Sequence, residues 1–252
     1  MEITSKNNQL IKDLTKEAKN RFLLFLDTPN LIKEAISNNL TVKYILQIKD
    51  KKFDFIGQQF ANKIIFVNEE ILKHLGSVEQ SAGILGVFEY SKKQFENPNA
   101  NYLVLDHVQD AGNVGTLLRS AMGANFTSVY LLDCASITNP KVVRSSSGAI
   151  FKLNIFELSK QEFLSSFNKD NLFACSMDGQ NIFEMQVTLP IGIVLGNEGK
   201  GISEEIVALA KNKKISVPME NSLESLNVAV SGSIIMFNVN FGGKNVRTFK
   251  VE

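Results

Sequence analysis

Residues that could do chemistry lie just after three apolar stretches of the sequence. Residues 106–121 read DHVQDAGNVGTLLRSA and carry an arginine, Arg119, on a segment of helical character. Residues 193–203 read IVLGNEGKGIS and place a carboxylate, Glu198, among three glycines. Residues 215–227 read ISVPMENSLESLN, a short apolar run that a proline ends. Because ligands bind at the carboxyl ends of parallel strands, these segments are candidates for one site.

The glycine-rich segment allows two interpretations. Gly196, Gly199 and Gly201 let a backbone approach a ligand closely or adopt positive φ, but an ordinary tight turn also needs glycines. A phosphate-binding P-loop is excluded, because Lys200 is followed by glycine and not by Ser or Thr. A dinucleotide fingerprint is also excluded, because two residues separate the first pair of glycines.

Composition narrows the classes of site further. With 252 residues the chain can form one large or two smaller domains, and its net charge of +1 means that any basic surface must be local. Cys134 and Cys175 are the only cysteines, which indicates free thiols in a reducing compartment. The chain offers too few Cys and His for a zinc site, so we expect no metal. A histidine-based centre is disfavoured, although His107 beside Asp106 at a strand end is a candidate.

The compartment is expected to be the cytoplasm, with no membrane association. No apolar run approaches the length of a membrane-spanning helix. The first ten residues, MEITSKNNQL, are polar and lack the apolar core of a signal peptide. Residues 1 to about 25 predict a surface helix with a mildly basic face that runs to Arg21, for which an ordinary solvated helix is the alternative.

Apolar runs alternate with amphipathic segments along the whole chain. From residue 102 onward this alternation predicts an α/β fold with a parallel sheet covered by helices on both faces. The polar segment 91–101 reads as a linker, so we expect domains at 1–95 and 96–252. Strands are predicted at 22–26, 42–48, 63–67, 84–88, 102–105, 128–132, 151–156, 172–177, 191–195 and 215–217.

Helix starts are predicted from capping residues. Asn113 is expected as the N-cap of a helix over Val114–Met122, and Asn30 as the cap of a helix near residues 31–36. Ser203 is the expected N-cap of a helix over 204–210. A further helix is predicted over residues 55–62.

The three segments together resemble motifs 1, 2 and 3 of the SpoU (TrmH-type) family of SPOUT RNA methyltransferases, in the family's order. The resemblance covers about the last three-fifths of the chain. The residues that carry it are Asn113, Gly115, Arg119 and Ala121, then Leu195, Gly196, Asn197, Glu198, Gly199 and Gly201, then Pro218, Met219, Ser225, Leu226 and Asn227.

For the fold, this resemblance implies a C-terminal trefoil knot in the domain at 96–252. It also implies that residues 1–95 form a small α/β domain similar to ribosomal protein L30e, which binds the RNA substrate. The family's Glu-Gly pair after the first strand is replaced by Asp27-Thr28, so no RNA-contact residue of this domain is carried over.

For activity, the resemblance implies methylation of a ribose 2′-hydroxyl in RNA with S-adenosylmethionine, by a homodimer. Ribosomal RNA is the favoured substrate and transfer RNA the alternative. The implied catalytic residues are Asn113, Arg119, Glu198, Ser225 and Asn227. The implied cofactor-binding residues are Ser176, Met177, Leu195, Gly196, Asn197, Gly199, Ile215, Pro218, Ser225 and Leu226. The implied RNA-binding residues are Arg119 and Arg144, the latter in the segment KVVRSSSGAIF.

Three questions stay open at this level. Arg119 either takes part in removing the proton of the hydroxyl or holds the target phosphate, since a guanidinium is normally never deprotonated. Glu198 either orients Arg119 or acts as the base. A non-catalytic RNA-binding protein on the same fold is the rival class, which the complete motifs disfavour.

Overall fold

The computed structural model describes residues 2–18, 22–77, 80–168, 170–220 and 225–242. The chain divides into two compact units, one of residues 1–92 and 136–152, the other of residues 93–135 and 153–252. The expected division was a single boundary near residue 95. Residues 136–152 instead belong to the first unit, because their helix packs on the strand Leu23–Leu26.

The helices and strands follow one another as the alternation predicts. The strands are β1 (Glu2–Ile3), β2 (Leu23–Leu26), β3 (Val42–Gln47), β4 (Ile64–Val67), β5 (Ile84–Glu89), β6 (Tyr102–Asp106), β7 (Ser128–Leu132), β8 (Asn154–Leu158), β9 (Leu172–Asn181), β10 (Gly192–Leu195) and β11 (Lys214–Ser216). The α-helices are α1 (Gln9–Glu17), α2 (Pro29–Ser37), α3 (Glu69–Leu75), α4 (Ala111–Gly123), α5 (Pro140–Ser146), α6 (Lys160–Ser166), α7 (Glu204–Leu209) and α8 (Val228–Phe241). Two 3-10 helices cover Gln58–Lys63 and Ala149–Phe151.

The first unit is built on a five-stranded sheet in the order β1-β4-β3-β5-β2. β1, β4 and β3 are parallel neighbours, whereas β5 pairs antiparallel with both β3 and β2. Ile11 and Leu14 of α1 and Ile71 of α3 are buried in one cluster with side chains of the sheet. Ile11 and Leu14 are three residues apart and so lie on one face of α1, which is the face that packs on the sheet.

The second unit is built on six parallel strands in the order β11-β9-β10-β6-β7-β8. On one face, Val194 packs in a cluster with Phe163 of α6 and Ile206 of α7. On the other face, Leu195 meets Gly232 of α8, since successive side chains of a strand point to opposite faces. The predicted α/β class, a parallel sheet with helices on both faces, is confirmed.

Helices α4 and α8 pack closely through small residues. The hydroxyls of Ser120 and Ser233 lie 2.7 Å apart and form a hydrogen bond. A methyl group on Gly232 would lie 2.4 Å from Leu195 Cδ1 and 2.6 Å from Leu117 Cδ2, so any larger residue would force these buried leucine side chains to shift. This packing fixes the start of α8 relative to the start of α4.

Strands β9 and β11 leave a short segment outside their ladder. Lys214 pairs with Ala174, but the next residue, Ile215, pairs with Gln180. The five residues 175–179 therefore bulge away from β11. The backbone of Ile215 lies so close to position 179 that a Cβ there would be only 2.4 Å away. Glycine, which has no Cβ, is therefore required at the end of the bulge.

Several predicted element boundaries were wrong for local reasons. Thr28 caps α2, so Asn30 lies inside the helix after a proline that favours its first turn. The segment predicted as a helix over 55–62 is a 3-10 helix at Gln58–Lys63. The N-terminal helix is shorter than expected, and residues 19–21, including Arg21, lie outside the described residues. In the described part of the chain no helix is long and apolar enough to cross a bilayer.

Candidate active site at the carboxyl edge of the parallel sheet

The loop that follows β10 is a tight turn closed by backbone hydrogen bonds. Asn197 N donates to Gly201 O over 3.0 Å, and Gly201 N donates back to Asn197 O over 2.9 Å. A Cβ on Gly196 would lie 2.3 Å from the carbonyl carbon of Gly201, and Gly201 itself has φ of +72°. Two of the three glycines are thus required by the turn, which brings Glu198 to its tip.

Asn197 holds this turn in place with its side chain. Its Oδ1 accepts hydrogen bonds from the backbone N–H groups of Gly199 and Lys200, both over 3.0 Å. Its Nδ2 donates to the carbonyl oxygen of His107, also over 3.0 Å, and so ties the turn to the end of β6. The side-chain amide and the backbone groups of Asn197 therefore both make hydrogen bonds within the protein, so Asn197 shapes the turn that lines the cleft.

Three predicted catalytic residues form a hydrogen-bonded row, which we call the amide–carboxylate row. Asn227 Nδ2 donates to Asn113 Oδ1 over 3.1 Å, and Asn113 Nδ2 donates to Glu198 Oε1 over 3.0 Å. Asn227 Oδ1 accepts from Ala229 N and Val230 N and thereby caps α8. The row joins the starts of two helices to the glycine turn, which fixes the orientation of the Glu198 carboxylate.

Asn113 was predicted to be the N-cap of its helix, and this was wrong. The helix begins earlier, at Ala111, and Asp110 is the cap, since its side chain accepts from Asn113 N over 2.8 Å. Asp and Asn are equally good N-cap residues, and Asp110 lies three residues before Asn113, the residue that belongs to the motif. The Asn113 side chain is consequently free to bridge Asn227 and Glu198.

Two adjoining cavities beside this row have Ser225, Leu226, Cys175 and Ser231 in common; we call them together the cleft. The cleft is lined by the predicted residues Ser176, Met177, Leu195, Gly196, Asn197, Glu198, Ile215, Ser225, Leu226 and Asn227. The predicted cofactor residues Gly199 and Pro218 are not among the described residues that line it.

Sequence reasoning missed several residues of the cleft, and four of them show why. Val217 and Met219 flank Pro218 and line the cleft in its place. The third motif therefore indicated the correct part of the chain, but the lining residues are the two neighbours of the proline. Cys175 stands beside Ser176 at the bulge of β9. Ser231 lies one turn into α8, where its hydroxyl is 3.2 Å from the backbone oxygen of Asn227. Only helical periodicity counted from Asn227 would have pointed to it.

The thiols near the site are poor nucleophiles. Burial raises the pKa of Cys175 above its ordinary value, and burial also raises the pKa of Cys134 to about 12. A thiol is reactive as the thiolate, so both cysteines stay protonated near neutral pH. Cys175 therefore serves the cleft as a small wall residue.

The rim of the cleft carries a fixed ion pair. Ser176 Oγ donates to Asp178 Oδ1 over 2.5 Å, and Lys214 Nζ lies 2.7 Å from Asp178 Oδ2. The side-chain hydrogen bond from Lys214 holds the pKa of Asp178 below its ordinary value, so this carboxylate is ionised. The ion pair connects the bulge of β9 to the start of β11.

Arg119 is not part of the amide–carboxylate row. It is exposed on α4 and makes no hydrogen bond or ion pair with any residue that the structure describes. Asn113 and Arg119 are six residues apart, which places them about 120° apart around the helix axis. In one chain Glu198 therefore does not orient Arg119, contrary to one of the two expected roles.

Arg144 lies in the first unit. Its Nη1 lies 3.8 Å from Oδ2 of Asp27, and the same nitrogen donates to the hydroxyl of Ser77. Asp27 is buried and also accepts from Ser77 N over 3.0 Å. The carboxylate of Asp27 thus partly neutralises the charge of Arg144, although the Arg144 side chain is still 37% exposed.

At the end of β6, Asp106 joins this strand to the start of α7. It is buried, and its Oδ2 accepts from the backbone N–H and the hydroxyl of Ser203, both over 2.7 Å. Its Oδ1 lies 2.6 Å from His107 Nδ1. Ser203 stands at the expected N-cap position of α7, but its hydroxyl is used on Asp106 and makes no capping bond.

The fold and the site together define a class: α/β proteins that bind a ligand at the carboxyl edge of a parallel sheet, next to an oriented carboxylate. Among the described residues, no group of three His, Cys, Asp or Glu could hold a metal ion. The sequence profile of the SpoU rRNA methylase family matches residues 100–237, which is more than half of the chain. The chain belongs to this family.

Relatives match almost the full length. A Synechocystis protein with the name uncharacterized tRNA/rRNA methyltransferase is 28% identical over 254 residues, which cover 93% of this chain and 92% of that protein. The 23S rRNA (guanosine(2553)-2′-O)-methyltransferase RlmP of Bacillus subtilis is 26% identical, over 94% of this chain and 98% of that protein. A solved structure of an AdoMet-bound rRNA methyltransferase from Sinorhizobium meliloti is 21% identical, with a TM-score of 0.81 over 95% of this chain and 97% of that one. At that identity the structural likeness supports the fold.

Proposed function

We propose that the chain transfers a methyl group from S-adenosylmethionine to a ribose 2′-hydroxyl of RNA, with ribosomal RNA as the favoured substrate. The observation that carries this proposal is the amide–carboxylate row at the edge of a glycine-lined cleft. Membership of the SpoU family and the 2′-O-methyltransferase relative support the reaction. Transfer RNA is the second candidate, because the name of the Synechocystis relative covers both substrates.

The cleft suits S-adenosylmethionine in shape and chemistry. Its walls combine apolar side chains of Ile215, Val217 and Leu226 with the bare backbone of Gly196, where a Cβ has no room. Apolar walls with a few convergent polar groups are typical of cofactor pockets. When bound, the cofactor supplies an activated methyl group on sulfur. The residues of the cleft hold and orient it, largely through backbone groups.

Glu198 is the group best placed to receive the proton of the hydroxyl. Asn113 donates to one carboxylate oxygen, which leaves Oε2 as a free acceptor on an exposed side chain at the tip of the turn. A base that is held in one orientation can accept a proton in the transition state without first having to reorganise. Ser225 and Asn227, which also line the cleft, position the ribose and the start of α8.

Arg119 acts as a phosphate ligand in this proposal, because a guanidinium keeps its protons and binds phosphate through two parallel hydrogen bonds. Its lack of a partner in the described part of the chain fits a group that is completed by substrate or by a second subunit. Arg144, with part of its side chain exposed, is proposed as a further RNA contact.

We also propose a homodimer in which Arg119 of one chain completes the site of the other. The supporting observation is that Arg119 points about 120° away from Asn113 and is exposed. Met122 on α4 and Val230 on α8 are large apolar side chains that are 39% and 48% exposed, as expected of helices that have another partner to cover. A symmetric dimer would pair such faces.

Three further features are proposed from the resemblance. The C-terminal segment forms a trefoil knot; residues 221–224 and 243–252 of that segment lie outside the described residues. The first 95 residues form an RNA-binding domain similar to ribosomal protein L30e, for which the mixed sheet is suitable. The protein works in the cytoplasm, to which its two free cysteines are suited.

The test is a methylation assay with labelled S-adenosylmethionine and ribosomal RNA from cells that lack the protein, followed by digestion to nucleosides. We expect label in a 2′-O-methylnucleoside. S-adenosylmethionine at about 100 times its Kd should also stabilise the protein by about 2.7 kcal/mol. Binding of RNA with neither methylation nor a cofactor-dependent thermal shift would instead identify the non-catalytic RNA-binding protein.

A further inference from the structure

A second pocket lies on the other side of the glycine turn from the cleft; we call it the His107 pocket. It is a cavity of about 430 Å³, lined by His107, Gln109, Asn197, Lys200, Gly201 and Ser203. The volume falls in the range of ligand pockets, about 300–1,000 Å³. The pocket adjoins the cleft through Asn197 and Gly201, yet none of the roles proposed above makes use of it.

The histidine in this pocket is held in one orientation by Asp106. Asp106 can only accept hydrogen bonds, so His107 Nδ1 must carry the proton that it donates over 2.6 Å. In the neutral ring this leaves Nε2 as an acceptor. Nε2 lies 3.9 Å from Asp133 Oδ2, which is too far for a hydrogen bond. The ring therefore offers one unused acceptor to a ligand.

The backbone of His107 is also unusual. Its φ of +58° lies in the left-handed region, which a residue other than glycine adopts rarely and at a cost of about 1 kcal/mol or more. Hydrogen bonds from His107 N to Leu132 O and from Asn197 Nδ2 to His107 O hold it there. The fold thus maintains a conformation that local preference opposes, and the result is the placement of this imidazole.

The pocket also contains an unpaired cation. Lys200 is exposed, and its ammonium group makes no hydrogen bond or ion pair with any residue in the described ranges. Gln109 Nε2 donates to Asp133 O over 2.6 Å, which fixes its amide and leaves the amide oxygen as an acceptor. A cation beside two fixed acceptors matches a ligand that has both a phosphate and hydrogen-bond donors.

We propose that the His107 pocket is a second nucleotide subsite for RNA, which holds a nucleotide flanking the methylated one. Lys200 binds its phosphate, and His107 Nε2 accepts a hydrogen bond from its ribose 2′-hydroxyl. This inference rests on the proposed RNA substrate. Its location across one turn from Glu198 suits the neighbour of a nucleotide whose own hydroxyl is at Glu198. DNA lacks the 2′-hydroxyl, so this subsite favours RNA.

Two variants test the subsite. Lys200→Gln removes the cation, and His107→Asn removes Nε2 while keeping a residue type that tolerates positive φ. Lys211→Gln is the matched control, because Lys211 is an exposed lysine of the same unit that follows α7 and pairs with Asp170. α7 leads from the turn back to the start of β11, so this control lies at the opposite edge of the sheet. The thermal shift with S-adenosylmethionine verifies that each variant is folded.

The first measurement is the dissociation constant for ribosomal RNA over a series of salt concentrations. Lys200→Gln should make the slope of log K against log salt shallower by about 0.7–0.9, as expected for one lost phosphate contact. The Lys211→Gln control should keep the wild-type slope. The second measurement compares a short single-stranded RNA with DNA of the same sequence. His107→Asn should reduce the preference for RNA by about 3- to 10-fold, the value of one hydrogen bond.

An unchanged slope for Lys200→Gln, or an unchanged RNA preference for His107→Asn, would overturn the subsite. Wild-type protein that methylates ribosomal RNA while both variants behave normally would remove only this inference. Wild-type protein that neither binds nor methylates RNA would remove the proposed function and the subsite together.

Discussion

Two carboxylates on either side of one glycine turn have opposite environments. Asp106 is 1% exposed, and its two oxygens receive hydrogen bonds from Ser203 N, Ser203 Oγ and His107 Nδ1. Glu198 is exposed at the tip of the turn and receives one hydrogen bond between side chains, from Asn113. Both stand in motifs of the same family, and both are close to the same ligand-binding edge.

The difference between the two environments distinguishes a carboxylate that positions other groups from one that can react. A buried carboxylate whose two oxygens both accept hydrogen bonds from the protein is held in place by its neighbours. A carboxylate with one oxygen held and the other free is oriented and can still accept a proton. Asp106 therefore holds the turn in place, whereas Glu198 acts from it.

Replacement of Glu198 should give the largest effect. Glu198→Gln keeps the hydrogen bond from Asn113 but removes the proton acceptor, so kcat should fall by about 10²–10⁴-fold. The melting temperature and the affinity for S-adenosylmethionine should stay close to wild type, because the side chain is exposed. Retention of more than a tenth of the wild-type kcat would exclude Glu198 as the base.

Replacement of Asp106 should affect stability before chemistry. Asp106→Ala leaves the donors of Ser203 and His107 without an acceptor, at an expected cost of about 2–3 kcal/mol, or about 5–10 °C in melting temperature. Asp170→Ala, at an exposed ion pair, should melt close to wild type. If Asp106→Ala is as stable as wild type but inactive, Asp106 takes part in chemistry and the contrast with Glu198 fails.

Replacement of Asn113 tests the link to Glu198. Asn113→Ala removes a hydrogen bond to a carboxylate, so activity should fall by about 10- to 100-fold. Stability should change little, because Asp110 caps α4. Asp110→Ala is the control with the opposite signature, a loss of about 1 kcal/mol of stability. A loss of stability in Asn113→Ala that matches that of Asp110→Ala would return Asn113 to the capping role.

Mixed dimers show whether the row is completed by a second chain. Arg119→Ala and Asn227→Ala chains, each inactive alone, should regain about a quarter of wild-type activity when re-associated, since half the dimers are mixed and each has one intact site. Asn113→Ala mixed with Asn227→Ala should show no more activity than the two variants measured separately, because these two residues belong to one chain's row. No recovery in the first mixture would mean that each site is built within a single chain.

The sequence predicted the sheet of the second unit well, because its strands are buried on both faces and appear as continuous apolar runs. It also named Asn113, Glu198 and Asn227, which the structure joins by hydrogen bonds. It did not show that Asp110 caps the helix. Asp and Asn are equivalent capping residues, so the sequence pattern alone does not show whether Asp110 or Asn113 precedes the first turn of the helix.

Other features depended on contacts between distant residues. The placement of Ser203 by Asp106 joins residues 97 positions apart, so no local pattern contains it. The left-handed backbone of His107 is likewise imposed by Asn197, 90 positions away. Arg144 was predicted as an RNA contact from its motif, and its pairing with Asp27 in the first unit could not be read from either segment alone.

The assignment of residues 136–152 to the first unit has a consequence for how this gene can be cut or recombined. The chain passes from one unit to the other three times, near residues 92, 135 and 152. A truncated protein that starts at residue 93 would retain α5 without β2, and would expose the buried Val142 and Val143 of that helix. The two halves are therefore not interchangeable modules. A gene fusion that replaced only the first 92 residues would have to supply a new surface for α5 as well.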